Sequence, residues 1–457
     1  MTTQSGTDVQ QFLDQHPFSR YQKLILWLCF FIVAIDGFDT ASIGFIAPAI
    51  RAEWALTPAA LAPLFGAGLF GLMAGSFLFG PLADRYGRRP VLIFSVAFFG
   101  AASLLSAWST DLTMLLVLRF LTGLGLGGAM PTSVTMTSEY CPQQRRSGLV
   151  TLMFCGFTIG SALGGLASAQ LLHLIGWRGV LMLGGALPLL LVPVLLLALP
   201  ESLRWLVLKG RDAAQVLKIA GRIAPTVASL PRLVVSDRKL AGSPMAELFR
   251  PGVIGGTLLL WSTFFMSLLI IYLLSSWMPT LLNGNGLSLS NASLVTMMFQ
   301  VGGTVGAILL GRWMDRHSPH KVLGIAYLAA AGCIVVVALS GSSLALLVLA
   351  VFGVGFGVSG SQVGANALAA AFYPTSSRAT GVSWAAAVGR SGSVLGSMAG
   401  GLMLTLKLDN ETIFFLLAVP AVLASLALLA MGRLMRARSS AGASAGSIPA
   451  LLKESTV

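Results

Sequence analysis

Twelve runs of predominantly apolar residues, each about 20 residues or longer, decide what this 457-residue chain can fold into. An α-helix rises ~1.5 Å per residue, so about 20 apolar residues cross the ~30 Å hydrocarbon core with every backbone polar group satisfied internally. The runs lie at residues 22–49, 59–82, 90–108, 112–136, 147–172, 178–199, 253–282, 291–313, 320–340, 344–370, 378–405 and 411–431. Composition agrees, because 56% of residues are hydrophobic and only 10% are charged, against about a quarter charged in soluble domains. The expected fold is an all-α membrane protein with 12 transmembrane helices. Cys29, Cys141, Cys155 and Cys333 are too few and too scattered for a disulfide scaffold, and no Cys/His spacing suggests a metal or other cofactor. The first apolar run is too long for a signal h-region, so no cleaved signal is expected.

The formal net charge of +13 would suit a nucleic-acid partner, but its distribution argues otherwise. With the N-terminus in the cytoplasm, Arg51, Arg178 and Lys407 fall outside, Arg119 and Arg390 fall inside helices, and the other 24 of the 29 Lys and Arg collect on the cytoplasmic side. That is the positive-inside pattern, so both termini are expected inside, the lipid bilayer is the partner and nucleic acid is not. The one long inter-helix segment is polar and basic. It divides the chain into an N-terminal segment 1–21, a six-helix bundle 22–199, a central cytoplasmic loop 200–252, a second six-helix bundle 253–431 and a Ser/Ala/Gly-rich tail 432–457 expected to be disordered.

The halves repeat. Gly80, Asp84, Arg85, Val91 and Leu92 match Gly311, Asp315, Arg316, Val322 and Leu323 at one constant shift, and Arg146 with Gly160-Ser-Ala-Leu-Gly164 matches Arg378 with Gly392-Ser-Val-Leu-Gly396 at nearly the same shift. Two parallel six-helix repeats suit a carrier whose halves rock around a midplane site. The loop after the second run reads Gly80-Pro-Leu-Ala-Asp-Arg-Tyr-Gly-Arg-Arg-Pro90, where Asp84 among Arg85, Arg88 and Arg89 can form a switchable charge cluster. It resembles the signature loop of the major facilitator superfamily, which implies that Asp84, with Arg88 and the repeat counterpart Asp315, latches the cytoplasmic gate. Pro200-Glu-Ser-Leu-Arg-Trp-Leu206 is similar to a second signature of several branches. Glu201 and Arg204, three apart, can also simply pair on a helix surface.

The first run carries Asp36-Gly37-Phe38-Asp39, roughly 21 to 26 Å along the axis from Gln22. The i,i+3 spacing puts both carboxylates on one helix face. Carboxylates inside a membrane helix are expensive and by default functional, so Asp36 and Asp39 are the expected proton carriers. Either could instead cap a break at Gly37 or pair with an arginine. Arg390 lies about 18 Å into the eleventh run, near the midplane, where its repeat counterpart is Thr158. An unpaired guanidinium there needs an anion, and its planar fork fits a carboxylate. Static pairing with Asp36 or Asp39 is the alternative. Phe38 and Trp384 are candidates to line a midplane site, with Phe264, Phe265, Tyr272 and Trp277 in reserve, although most phenylalanines of such a chain meet lipid. Asn366, Gln362 and Gln300 can bind a hydroxyl of the cargo or bond between helices. The glycines at 123, 125, 127 and 128 follow no strand, so they read as helix-packing positions and not as a dinucleotide loop.

Asp36-Gly37-Phe38-Asp39-Thr40, Gly44-Phe45-Ile46-Ala47-Pro48, Ser19-Arg20-Tyr21-Gln22, Arg119 to Pro131, Trp277 to Leu281, Met314 to Val322 and Tyr373 to Arg390 together resemble the aromatic acid:proton symporter family, in particular its 4-hydroxybenzoate/protocatechuate branch. These segments span nearly the whole chain. The resemblance implies import of an aromatic carboxylate with protons across the bacterial inner membrane, by a monomer, in the service of aromatic-compound catabolism. It also implies that Arg119, as part of the substrate site, and Glu139, as part of the gate, are needed for transport. Snorkelling of Arg119 to the interface and a loop salt bridge of Glu139 with Arg145 or Arg146 are the plainer readings. A drug/proton antiporter, a transporter of another organic anion and a membrane receptor are the rival functions. An enzyme is not expected, since no nucleophile with its base and no nucleotide loop is present.

Overall fold

The computed structural model describes residues 6–210, 213–225, 233–235, 247–341, 343–373 and 377–445. Its long helices are α2 (Arg20–Glu53), α3 (Leu61–Tyr86), α4 (Arg88–Ser106), α5 (Leu112–Tyr140), α6 (Arg146–Ala198), α9 (Ile254–Gly284), α10 (Leu289–Arg316), α11 (Pro319–Leu339), α12 (Leu344–Phe372), α13 (Arg378–Thr405) and α14 (Asn410–Ala445). Short helices α1 (Val9–Gln15), α7 (Leu203–Leu208) and α8 (Ala213–Ile223) lie at one face. Among the described residues ten segments are long and apolar enough to cross a bilayer. One of them belongs to α6, whose 53 residues would measure about 80 Å if straight. It breaks at Gly176, where φ is 66°, a left-handed conformation that glycine adopts without cost, so α6 supplies two crossings. With α13, the count reaches the expected twelve, and the chain is a multi-pass helical membrane protein.

Helix starts follow local chemistry. Ser19 opens α2 with a capping box, its hydroxyl accepting from the Gln22 amide while the Gln22 side chain accepts from the Ser19 amide. Asp111 caps α5 through the Met114 amide at 2.9 Å, and Ser288 caps α10 through Asn291. Small residues then let helices touch. A Cβ on Gly37 would collide with the Phe157 carbonyl of α6, and the glycines at 123 and 127 meet α3 backbone while those at 125 and 128 meet α4 or α3 side chains. The repeat seen in the sequence recurs in packing: α2 lies on α6 and α3 on α5, as α9 lies on α13 and α10 on α12.

The two bundles meet on the arginine-poor face. Phe65 of α3 and Trp277 of α9 pack edge to face with centroids 5.0 Å apart. Gly66 lies against Met398, Gly401 against Ala62 and Gly44 against the Ser275 carbonyl. The Ser290 hydroxyl donates to the Ala169 carbonyl at 2.9 Å, and deeper in the seam Thr304 donates to Thr158 at 2.6 Å.

Two elements were not anticipated. Thr7–Asp8 pairs in parallel with Leu233–Val234, and α1 buries Val9, Phe12 and Leu13 in a cluster with Trp205, Ile219 and Ile223, so part of the central loop is folded onto the first bundle. The last helix also runs on to Ala445, past the expected start of a disordered tail at 432. Residues 446–457 lie outside the described residues.

Candidate substrate and proton site

Asp36 is 1% exposed. Its Oδ1 accepts from the Thr40 hydroxyl, one helical turn further on, at 3.1 Å, and its Oδ2 has no hydrogen-bond partner among the described residues. A buried carboxylate oxygen without a donor is costly when ionised, while a neutral acid needs less. The side chain is therefore set where gaining and losing a proton changes its energy strongly.

Asp39 stands in a different environment. Its Oδ2 accepts from Nη1 of Arg119 at 3.1 Å, and its Oδ1 accepts a short hydrogen bond from the Ser103 hydroxyl. Arg119, 4% exposed, also donates from Nη2 to Ser103 at 3.0 Å and Ser106 at 3.4 Å. Asp39 thus has a basic neighbour, which the sequence alone did not reveal, and Arg119 turns inward rather than snorkelling. Breaking such a buried pair from one side typically costs about 3–5 kcal/mol, because the other charge is left uncompensated.

Arg390 is half-buried on α13. Among the described residues it forms no ion pair, and neither Asp36 nor Asp39 bonds to it. It nonetheless lies within electrostatic reach of Asp36 on α2 and of Tyr272 on α9. An acid on one bundle and a free guanidinium on the other therefore share the seam, with a phenol beside them.

A cavity of about 50 Å³ lies next to this cluster, lined by Asp39, Thr40, Phe65, Arg119, Tyr272 and Ser276 among others. It has room for a few waters but not for an aromatic ring.

At the basic face Arg88 joins two acids, Asp84 at 3.0 Å and Glu139 at 3.3 Å. The expected loop partners Arg145 and Arg146 are not what Glu139 contacts, and Arg146 bonds to Gln10 of the N-terminal helix. Asp84 is 75% exposed on its side chain, and Asp315 is exposed. Glu201 is the surprise of this region. Its carboxylate does not sit on a helix surface but accepts from the amides of Arg88 at 2.9 Å and Arg89 at 3.2 Å, capping the N-terminus of α4. Burial pushes the Glu201 carboxyl above its ordinary range, and the Ser202, Arg89 and Arg88 amides pull it back. Trp205 Nε1 donates to the Asp84 carbonyl at 3.0 Å, so the two signature segments are one joint. Gly87 is required at its centre, with φ 112° and a Cβ position that would strike the Glu201 carboxylate. Gly87→Ala is expected to destabilise the fold by about 1–3 kcal/mol, read as a lowered Tm of the protein in detergent; an unchanged Tm would contradict the joint.

The other candidates are scattered. Phe38 is buried within the first bundle, where a Cβ on Gly184 would sit 3.5 Å from its ring. Trp277 is fully buried, its Nε1 donates to the Ser397 carbonyl of the same bundle at 2.6 Å, and its ring meets Phe65 of the other bundle in the closure. Trp384 is 41% exposed and stacks on Trp261 at 5.9 Å, about 9 Å along α13 from Arg390. Asn366 is exposed near the basic end of α12. Gln300 donates to Ser275 at 3.4 Å, and Gln362 buries an Oε1 without a partner. Among the described residues no group of three or more His, Cys, Asp or Glu converges as a metal site would require. Thr40 and the serines at 103 and 106 were missed as site residues. The i,i+4 spacing of Asp36 and Thr40 was a usable signal, whereas nothing local marks two serines on another helix.

The Major Facilitator Superfamily profile matches residues 29–292 and 260–455. Over 428 residues the chain is 47% identical to the 4-hydroxybenzoate transporter PcaK of Pseudomonas aeruginosa, covering 93% of this chain and 96% of the relative. It is 45% identical over 426 residues to the gallate transporter of Pseudomonas putida, covering 93% and 95%. Among solved structures, a D-xylose-proton symporter superposes with a TM-score of 0.69 at 22% identity, covering 89% of this chain and 97% of that one, which speaks to fold alone. Two six-helix repeats, a signature loop tied to the end of the first bundle and buried charges at the seam agree with these matches: the chain belongs to the major facilitator superfamily and is a membrane transporter, not an enzyme.

Proposed function

We propose that this protein is a symporter that imports an aromatic monocarboxylate together with a proton, in the bacterial inner membrane with its basic face toward the cytoplasm. What supports the reading is the presence, on opposite bundles and within electrostatic reach, of a buried acid lacking a donor on Oδ2 and an arginine that forms no ion pair among the described residues. Relatives named for 4-hydroxybenzoate and gallate supply the substrate class. The described state, closed on the arginine-poor face, is then the cytoplasm-facing one.

The charge count gives the coupling. In the empty carrier, ionised Asp36 and Arg390 balance each other through the low-dielectric seam. Once Asp36 takes a proton, Arg390 is free to accept the substrate carboxylate in bidentate fashion, and the loaded site is again neutral. Proton without substrate leaves a net positive seam, and substrate without proton leaves a net negative one. Closing the bundles over either net charge is disfavoured by desolvation, so both leaks are suppressed. Asp39 and Arg119 neutralise one another separately and do not enter this count. One proton with one monoanion moves no net charge, so accumulation follows the pH gradient at ~1.4 kcal/mol per pH unit.

Uptake of labelled 4-hydroxybenzoate into energised vesicles is expected to collapse when a protonophore is added. Uptake indifferent to the protonophore would refute symport, and an outward flux driven by the inward proton gradient would identify an antiporter instead.

A further inference from the structure

We propose that the Thr40 hydroxyl is the proton relay to Asp36, linking it to the small cavity beneath the closure on the arginine-poor face. The inference rests on the symport reading above. Thr40 is half-buried, lines the cavity together with Asp39, Arg119, Tyr272 and Ser276, and donates to Asp36 Oδ1 at 3.1 Å. Among the described residues it is the one hydrogen-bond donor to the Asp36 carboxyl, since Oδ2 has none. One hydroxyl therefore touches both the acid and the space where water fits.

The cavity has what water needs: about 50 Å³ of volume and several polar groups around it, each water wanting two to four such partners. Phe65 also lines it, and Phe65 packs on Trp277 in the closure between bundles. When that contact parts, the cavity is the first polar space that solvent from the arginine-poor side reaches. The charged and titratable groups around the path are Asp39 on the same helix, Arg119 on α5, and Tyr272 and Arg390 on the second bundle. Asp39 and Arg119 are bonded to each other and to Ser103, so their side chains are held in place at the cavity wall.

The step balances as a relay. An excess proton arriving from outside as a hydronium in the cavity passes to a lone pair of Thr40 Oγ1, leaving a neutral water, and the proton already on Oγ1 passes to Asp36 Oδ1. One O–H bond forms and one breaks at Thr40, leaving its hydroxyl restored and Asp36 neutral. Thr40 is a positioning residue for the proton and needs no contact with the organic anion.

The test separates net proton movement from substrate exchange. In proteoliposomes, Thr40→Val is expected to slow pH-gradient-driven uptake of 4-hydroxybenzoate by about tenfold or more. Counterflow, in which internal and external substrate exchange at equal pH without net proton transfer, should stay within about twofold of wild type. Thr40→Ser, which keeps the hydroxyl and loses the methyl, should restore gradient-driven uptake. The relay is overturned if Thr40→Val takes up substrate at the wild-type rate, if Thr40→Ser is as slow as Thr40→Val, or if counterflow falls in step with uptake. Wild-type uptake that ignores a protonophore would instead sink the symport reading itself, whatever the variants do.

Discussion

Asp36→Asn is expected to abolish accumulation driven by the pH gradient while leaving counterflow of substrate intact. Asparagine is close in size and permanently neutral, so it imitates the protonated acid and never the ionised one. With substrate bound, Arg390 and the carboxylate balance and the bundles can rock. Without substrate, Arg390 has lost its counter-charge, and the empty carrier must close over an uncompensated guanidinium, a penalty of several kcal/mol. A tenfold change in rate corresponds to ~1.4 kcal/mol, so the return step should slow by on the order of a hundredfold or more. Exchange avoids that step and survives. The measurement is the steady accumulation ratio of a labelled aromatic acid under an imposed pH gradient, set beside counterflow in the same vesicles. A variant that still concentrates substrate would remove Asp36 as the proton carrier, and one that loses both activities would make it a substrate or packing residue.

Asp36 and Asp39 show how far the sequence could be read. Two acids on one face of an apolar helix stood out as candidates because the bilayer makes such groups expensive. Their separate fates were not legible. Asp39 is neutralised by Arg119 and hydrogen-bonded by Ser103, 80 and 64 positions away on other helices, and no periodicity encodes which acid an arginine on a neighbouring helix will meet. Helix number, the internal repeat and the signature loop were all readable, since they depend on length, composition and spacing along one chain. The Glu201 cap was not. An acid followed three residues later by an arginine looks like a local pair, and only the folded loop shows that amide donors at the start of α4 hold the carboxylate more firmly. The folded part of the N-terminal and central segments escaped for a similar reason. Val9, Phe12 and Leu13 are too few to announce a helix until a second segment, at Ile219 and Ile223, covers them.

The same logic orders the site. Side chains that compensate each other inside one bundle, such as Asp39 with Arg119, can stay paired throughout a transport cycle. Groups that balance across the seam would be parted in a cycle that opens it. Asp36 and Arg390 belong to opposite bundles, and among the described residues Asp36 has an oxygen without a donor and Arg390 a guanidinium without an acid. That incompleteness is what a cargo of one proton and one anion would fill.

Arg390→Lys separates charge from geometry at that position. Lysine preserves the positive charge that balances ionised Asp36, so the empty carrier can still return and the coupling ratio should be unchanged. What it loses is the planar fork that holds a carboxylate through two parallel hydrogen bonds. Losing one charge-assisted hydrogen bond is worth about 1.5–3 kcal/mol, which raises the apparent KM for the aromatic acid by roughly ten- to a hundredfold. At saturating substrate, the accumulation ratio under a pH gradient should match wild type, because the proton site is intact. The pair of measurements is KM for initial uptake and the accumulation ratio at high substrate. An unchanged KM would place the carboxylate elsewhere, whereas a raised KM together with a collapsed ratio would mean that Arg390 sets the state of Asp36 and does not hold the anion.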